Sequence, residues 1–264
     1  MLLRLAAALA LALLALLPAA PARAQANLYA TYSSDPFVNS NLRLFFDKRW
    51  QIARLRAQGK HAVADAMEGR ATPSHDEAGQ PLAGAERLDA PLALTSFTPA
   101  GAPRIPARVA ESAGGADAAR RTELEAAFSA LLQSYEDNLD AQGEGRLHHN
   151  LAGAFNFLFA VAWYVAGDGA ELSEAQQEDM LGQVNLALAL GLRERPLDDR
   201  EKQDAYEAAA LAGMLALGLY NEGRDLGRPG QVAEAQALAR DLLDGMMGIG
   251  LDRVRLEGDR VHID

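Results

Sequence analysis

Four groups of side chains in this 264-residue chain have types and spacings from which chemistry could be built. His148 and His149 are adjacent and lie close to Glu144, but neighbouring positions on a helix point about 100° apart, which is poor geometry for a shared metal ion. Gly143 and Gly145 break the helix that would bring Glu144 to His148 at i and i+4, so no metal site is expected here. Glu136, Asp137 and Asp140 form an acidic run, and paired carboxylates are what glycoside hydrolysis needs. Such pairs normally come from two different elements, and a run along one helix is more often a solvated face.

Asn156 stands inside the apolar stretch "NLAGAFNFLFAVAWYVAG", residues 150–167. It is either a buried amide that pairs with a neighbouring helix and sets its register, or a polar binding or catalytic group in an apolar pocket. Glu207 shares a stripe with Leu211 and Met214 at i, i+4 and i+7 near the start of another apolar helix. A carboxylate there either complements the positive end of the helix dipole or belongs to a site. No G-x-S-x-G, H-E-x-x-H, phosphate-loop or EF-hand spacing occurs, and Gly248-Ile249-Gly250 lacks the third glycine and preceding strand of a dinucleotide loop. No cofactor is expected.

The elements that must position these residues are helical. Leu42, Phe45, Phe46 and Ile52, with Arg49 on the same stripe, predict a first helix after Asn41 that runs towards Met67. Residues 71–115 hold six prolines and few large apolar side chains, which predicts a long connection, with disorder between Pro73 and Glu86 and "LALTSFTPAG" extended along the surface. Leu124, Phe128, Leu131, Tyr135 and Leu139 then mark one helix, and a second runs from Leu147 to Gly167. Ser173 with Gln176, and Asp198 with Glu201, are capping boxes that open two more. A last helix starts near Gly230 and stops at Gly248, before a tail whose alternation suits a short hairpin.

The stretch from Leu151 to Gly167 is charge-free but shorter than the roughly 20 residues a membrane span needs, and Asn156 would be unsatisfied in lipid. Apolar on more than one face, it reads as the central helix of a bundle with neighbours all round. The fold expected is therefore all-α: a multi-helical bundle around a central apolar helix, with an N-terminal helix, a Pro-rich extended connection and a short C-terminal hairpin. The alanine richness reads as compositional. Divisions fall at 25–70 (N-terminal segment and helix), 71–115 (connection), 116–250 (helical bundle) and 251–264 (tail).

The first 24 residues have the plan of a secretory signal peptide: Arg4, a Leu/Ala run, Pro18 and the small-x-small site Ala22-Arg23-Ala24. Cleavage is expected after Ala24 or Ala26, which places the mature protein in the periplasm or outside the cell. With no cysteine, disulfides, lipid attachment at an N-terminal Cys, zinc-thiolate sites and thiol catalysis are all excluded. Removing the signal takes Arg4 and Arg23 and no acid, so the net charge moves from −11 to −13, 23 cations against 36 carboxylates. So acidic a chain is repelled by nucleic acid and by anionic head groups.

"HHNLAGAFNFLFAVAWYVAGDG", "DREKQDAYEAAALAGMLALGLYNEG" and "GIGLDRVRLEG", with "TYSSDPFV" and the F-T-P segment earlier, resemble an exported bacterial family, domain of unknown function 6683. The resemblance implies a helical, exported, non-catalytic domain and groups Asn150, Gln203, Tyr206 and Glu207 together, as one polar cluster at the end of the bundle. Leu151 stands where members often carry an acidic residue after Asn150, which weakens any acid-based role there. The function expected is a binding or interaction module of the cell envelope, its partner an envelope protein or a small molecule, with no stable membrane insertion. The alternative is a hydrolase of envelope polymers using carboxylates from two helices.

Overall fold

The computed structural model describes residues 90–263. The expected signal peptide, the helix after Asn41 and the connection up to Asp89 lie outside the described residues. Six helices follow in order: α1 (Ile105–Gly114), α2 (Ala118–Ala141), α3 (Leu151–Ala166), α4 (Glu174–Glu194), α5 (Asp199–Asp225) and α6 (Pro229–Met247). They pack against one another, and the chain ends in an antiparallel hairpin of β1 (Val254–Glu257) and β2 (Arg260–Ile263), paired Val254 to Ile263 and Leu256 to Val261. The all-α expectation holds.

Local signals set most boundaries. Ser173 accepts the Gln176 N–H at 3.1 Å while the Gln176 side chain accepts the Ser173 N–H at 2.9 Å. Asp198 and Glu201 repeat the arrangement at 2.8 and 3.0 Å, so both capping boxes form. Gly248 ends α6 in the left-handed conformation, φ 68°, which costs a residue without Cβ little. The hairpin is tied to α4 through Gln183, which donates to the Val261 carbonyl at 2.8 Å, and Asp179, which accepts the Val261 N–H at 3.0 Å.

Four expectations need correction. First, α1 lies inside the Pro/Gly-rich connection, because Pro106 sits in its first turn, where a missing N–H costs nothing and the fixed φ suits a helix. Second, "LALTSFTPAG" is more than a surface strip: Leu92–Leu94 form one turn of 3-10 helix, Thr95 is fully buried and Phe97 nearly so. Third, the central helix begins at Leu151, not Leu147. Leu147 closes a separate 3-10 turn, and His148 and His149 lie in the loop between, His149 at φ 51°. Fourth, the alanines of α5 are structural. Ala205, Ala208, Ala209, Ala210 and Ala212 are at most 1% exposed, and small side chains let helix axes approach closely. At Gly213 even a methyl would come within 2.6 Å of the Phe157 ring on α3.

α3 is the centre of the core, packed by α4, α5 and α6. Phe155, Leu158, Phe159, Ala162 and Val165 are at most 1% exposed. The helix is not enclosed all round, however. Phe157, Ala160, Trp163 and Tyr164 are only partly buried. No helix of the described residues is long and apolar enough to cross a membrane.

Candidate functional site

Five of the buried polar residues, Thr95, Asn150, Gln203, Asp204 and Glu207, converge where the first turns of α3 and α5 meet residues 90–104, a strap laid across the bundle. The Asp198 capping box starts α5 so that Arg200, Gln203, Asp204 and Glu207 fall at i, i+3, i+4 and i+7, one face of the helix. All four hold the strap. Gln203 accepts the Ala100 N–H at 2.7 Å and donates to the Gly101 carbonyl at 2.9 Å and to Glu207 at 2.7 Å. Arg200 donates to the carbonyls of Ala100 and Ala102. Asp204, buried, takes a two-pronged hydrogen bond from the Arg104 guanidinium at 3.2 and 2.6 Å. Lys202 adds a donation to the Ser96 carbonyl at 3.3 Å.

Glu207 does favour a helix N-terminus, but not its own. One carboxylate oxygen accepts the N–H groups of Arg104 and Ile105 at 2.9 and 3.0 Å, the N-cap and first residue of α1. A buried negative charge at the positive end of a helix dipole that also receives two unpaired donors is doubly compensated.

Asn150 secures the other end of the strap. Its side-chain oxygen caps α3 through the Gly153 N–H at 2.9 Å, and its amide donates to the Leu92 carbonyl, the Thr95 hydroxyl and the Ser96 hydroxyl at 2.9 to 3.0 Å. Backbone bonds add to this: Leu151 N–H to the Thr95 carbonyl and Phe97 N–H to the His149 carbonyl, both 3.0 Å. Thr95 passes the chain of bonds on to Asn185 of α4 at 2.7 Å, which in turn donates to the Ala90 carbonyl at 2.5 Å.

Beside the strap lies a second cluster. Tyr206 donates its hydroxyl to Glu136, His148 bonds Glu136 through Nδ1, and Nε2 of His148 meets Asp140 at 2.8 Å. Phe97, Tyr135 and His149 pack their rings on Tyr206 with centroids 5.4 to 6.3 Å away. Burial pushes the Tyr206 and Tyr135 phenols up, and the Glu136 charge adds to both shifts, so both stay protonated. For His148 burial works the other way, yet hydrogen bonds and charge from Asp140 and Glu136 outweigh it and raise its pKa above the ordinary value. The acidic run is therefore not simply a solvated face: Glu136 lies tucked between Tyr206 and His148, and the imidazole ring fills the space between Glu136 and Asp140.

The structure thus joins Gln203 to Glu207 directly, turns Tyr206 towards Glu136, and links Asn150 to the others through the strap. Asn156 stands apart, donating to the Gln177 carbonyl of α4 at 3.3 Å. Thr95, Asp204 and Asn185 were not singled out from the sequence. A signal for Asp204 was available: Gln203, Asp204 and Glu207 occupy the same stripe that the buried Leu211 and Met214 continue, which places all three on the buried face of α5. No group of three or more His, Asp or Glu able to hold a metal ion occurs among the described residues.

A family model described as Family of unknown function (DUF6683) matches residues 4–264. The chain belongs to that family. The DUF6683 match spans the strap, all six helices and the hairpin, so the clamp on α5 and the Asn150 cap are within it. No curated protein and no solved structure matches the chain.

Proposed function

We propose that this DUF6683 chain is an exported, non-catalytic interaction module of the bacterial cell envelope, acting in the periplasm or outside the cell on an envelope protein or a small molecule. One observation carries the non-catalytic part. Gln203, Asp204, Glu207 and Asn150 engage the chain's own strap, and Glu136, Tyr206 and His148 engage one another, so the polar groups that could do chemistry act as structural fastenings. The signal-like first 24 residues support export, and the excess of carboxylates disfavours nucleic acid.

A hydrolase reading needs two carboxylates flanking a substrate bond from different elements. Here Glu136 and Asp140 share α2 with the His148 ring between them. The test pairs two measurements. Cells expressing the chain with a photoreactive residue at exposed Gln133 or Glu125 are irradiated before fractionation; discrete adducts in the osmotic-shock fraction are expected. Purified protein is incubated with isolated envelope polymer, and release of soluble fragments that Glu136→Gln abolishes would replace this reading with the hydrolase.

A further inference from the structure

His148 lies in the loop that joins α2 to α3, and its ring bridges two carboxylates of α2. Nδ1 bonds Glu136, and Nε2 meets Asp140 at 2.8 Å. A carboxylate at each ring nitrogen calls for two N–H donors, which only the imidazolium has. The neutral ring carries one N–H and sets a lone pair against the other carboxylate. Around this pair stand further ionisable groups. From α5, Tyr206 donates to Glu136, with Tyr135 of α2 packed behind it. Within the loop, Arg146 pairs with Glu144 at 2.9 Å and with Glu178 of α4 at 2.7 Å, and the His149 ring lies 6.1 Å from that of His148. The His148 side chain is 24% exposed and that of Asp140 71%, so protons reach the ring from solvent.

The two residues that follow His148 hold the strap. The His149 carbonyl accepts the Phe97 N–H, the two rings pack with centroids 5.7 Å apart, and Asn150 bonds Leu92, Thr95 and Ser96. His149 sits at φ 51°, a left-handed conformation that costs a residue with Cβ energy, so the loop keeps this shape only while its neighbours enforce it. We infer that His148 is a pH-operated latch on the strap: as imidazolium it clips the loop to α2 and holds Phe97 down on Tyr206, and on losing its proton it lets the loop relax and the strap lift at Phe97. The strap's far end stays fastened, since Gln203, Asp204 and Glu207 hold residues 100–105 without a histidine. The lift uncovers an aromatic site: Tyr206, 5.4 Å from Phe97 between ring centroids, and beyond it Tyr135, whose buried hydroxyl has no hydrogen-bond partner among the described residues. Burial lowers the His148 pKa, but hydrogen bonds and charge from Asp140 and Glu136 outweigh it, so the latch opens on the alkaline side of the ordinary value near 6.5.

Amide exchange of the full chain tests the latch residue by residue, each rate being divided by its intrinsic value at that pH. From about pH 5.5 to about pH 8.5 the protection of the Phe97 N–H should fall about fivefold or more. At low urea concentrations that protection should barely depend on urea, the mark of a local opening, whereas protection at Phe159 in the core of α3 should drop steeply. Phe97 tracking Phe159 in urea would mean that the strap leaves only when the whole bundle unfolds, and the latch would be wrong. His148→Gln should abolish the fall with pH, and a fall that persists in this variant overturns the inference. His149→Asn tolerates the left-handed backbone and removes the neighbouring imidazole, so the fall should remain; its loss would place the switch at His149 instead. Asp140→Asn lies at an exposed position that does not put folding at risk, and with one of the two carboxylates gone the fall should shrink. If His148→Gln does not fold, this variant decides, an undiminished fall counting against the latch.

Discussion

One oxygen of the Glu207 carboxylate accepts the backbone N–H of Ile105 at 3.0 Å, so a residue of α5 caps a helix that starts 102 positions earlier in the chain. The same oxygen takes the Arg104 N–H. Through this contact the strap and α1 are fastened to the core. The strap's other fastenings, at Gln203, Asp204 and Asn150, act in parallel.

Replacing Glu207 by Ala should leave two sheltered backbone donors unpaired and destabilise the chain by about 2–4 kcal/mol. Glu207→Gln keeps an acceptor and should cost about 1 kcal/mol. Urea midpoints at constant slope measure both, and equal losses for the two variants would show that the carboxylate acts by something other than capping.

Asn150 caps α3 with its side-chain oxygen and holds the strap with its amide, so Asp and Ala should separate the two roles. Asn150→Asp retains the cap on Gly153 but sets a carboxylate against the Leu92 carbonyl. Amide exchange should speed up at Phe97 and stay slow at Gly153. Asn150→Ala loses both and should cost about 2–3 kcal/mol from the cap and the lost buried bonds together. Equal exchange at Gly153 in both variants would contradict this division.

His148 makes stability depend on pH in a definite direction. Its folded pKa is raised above the ordinary value near 6.5, as Asp140 and Glu136 outweigh the opposing effect of burial. The stabilisation it provides is complete below the unfolded pKa and is lost as pH rises through the folded one. Urea midpoints should therefore fall on going from pH 6 into the mildly alkaline range, and His148→Gln should flatten that slope. An imidazole titration by NMR at or below 6.5 would refute the assignment.

Tyr206→Phe removes one hydroxyl and leaves the ring contacts with Phe97 and Tyr135. The expected cost is about 1 kcal/mol, the net value of one hydrogen bond. With that donor gone, Glu136 faces His148 unshared, so the His148 titration should move further up. A downward movement would mean that Tyr206 orients Glu136 rather than competes for it.

The two capping boxes, the apolar stripe of α2 and the stop at Gly248 were legible because each depends on residues three or four positions apart, and backbone geometry alone brings such residues together. The early start assigned to α3 failed for a related reason. Asn150 is as good a cap as the chain offers, but Leu147 to His149 are apolar and aromatic enough to continue a helical pattern, and the strap's pairing with residues 149–151 pulls them out of it.

The grouping of Gln203 with Glu207 was within reach because it lies on one helix. Their partners were not. Ala100, Gly101, Arg104 and Ile105 meet them across 102 or 103 positions, and nothing local in "TPAGAPRIPA" distinguishes a strap clamped to α5 from a free connection. Periodicity could say that α3 would be buried, since its burial follows from having no charge to solvate. Which of its faces would meet α4, α5 and α6, and which would stay only partly buried around Trp163, depended on how alanine-lined α5 packs against it, a matter of three-dimensional fit between elements that carries no short-range sequence signal.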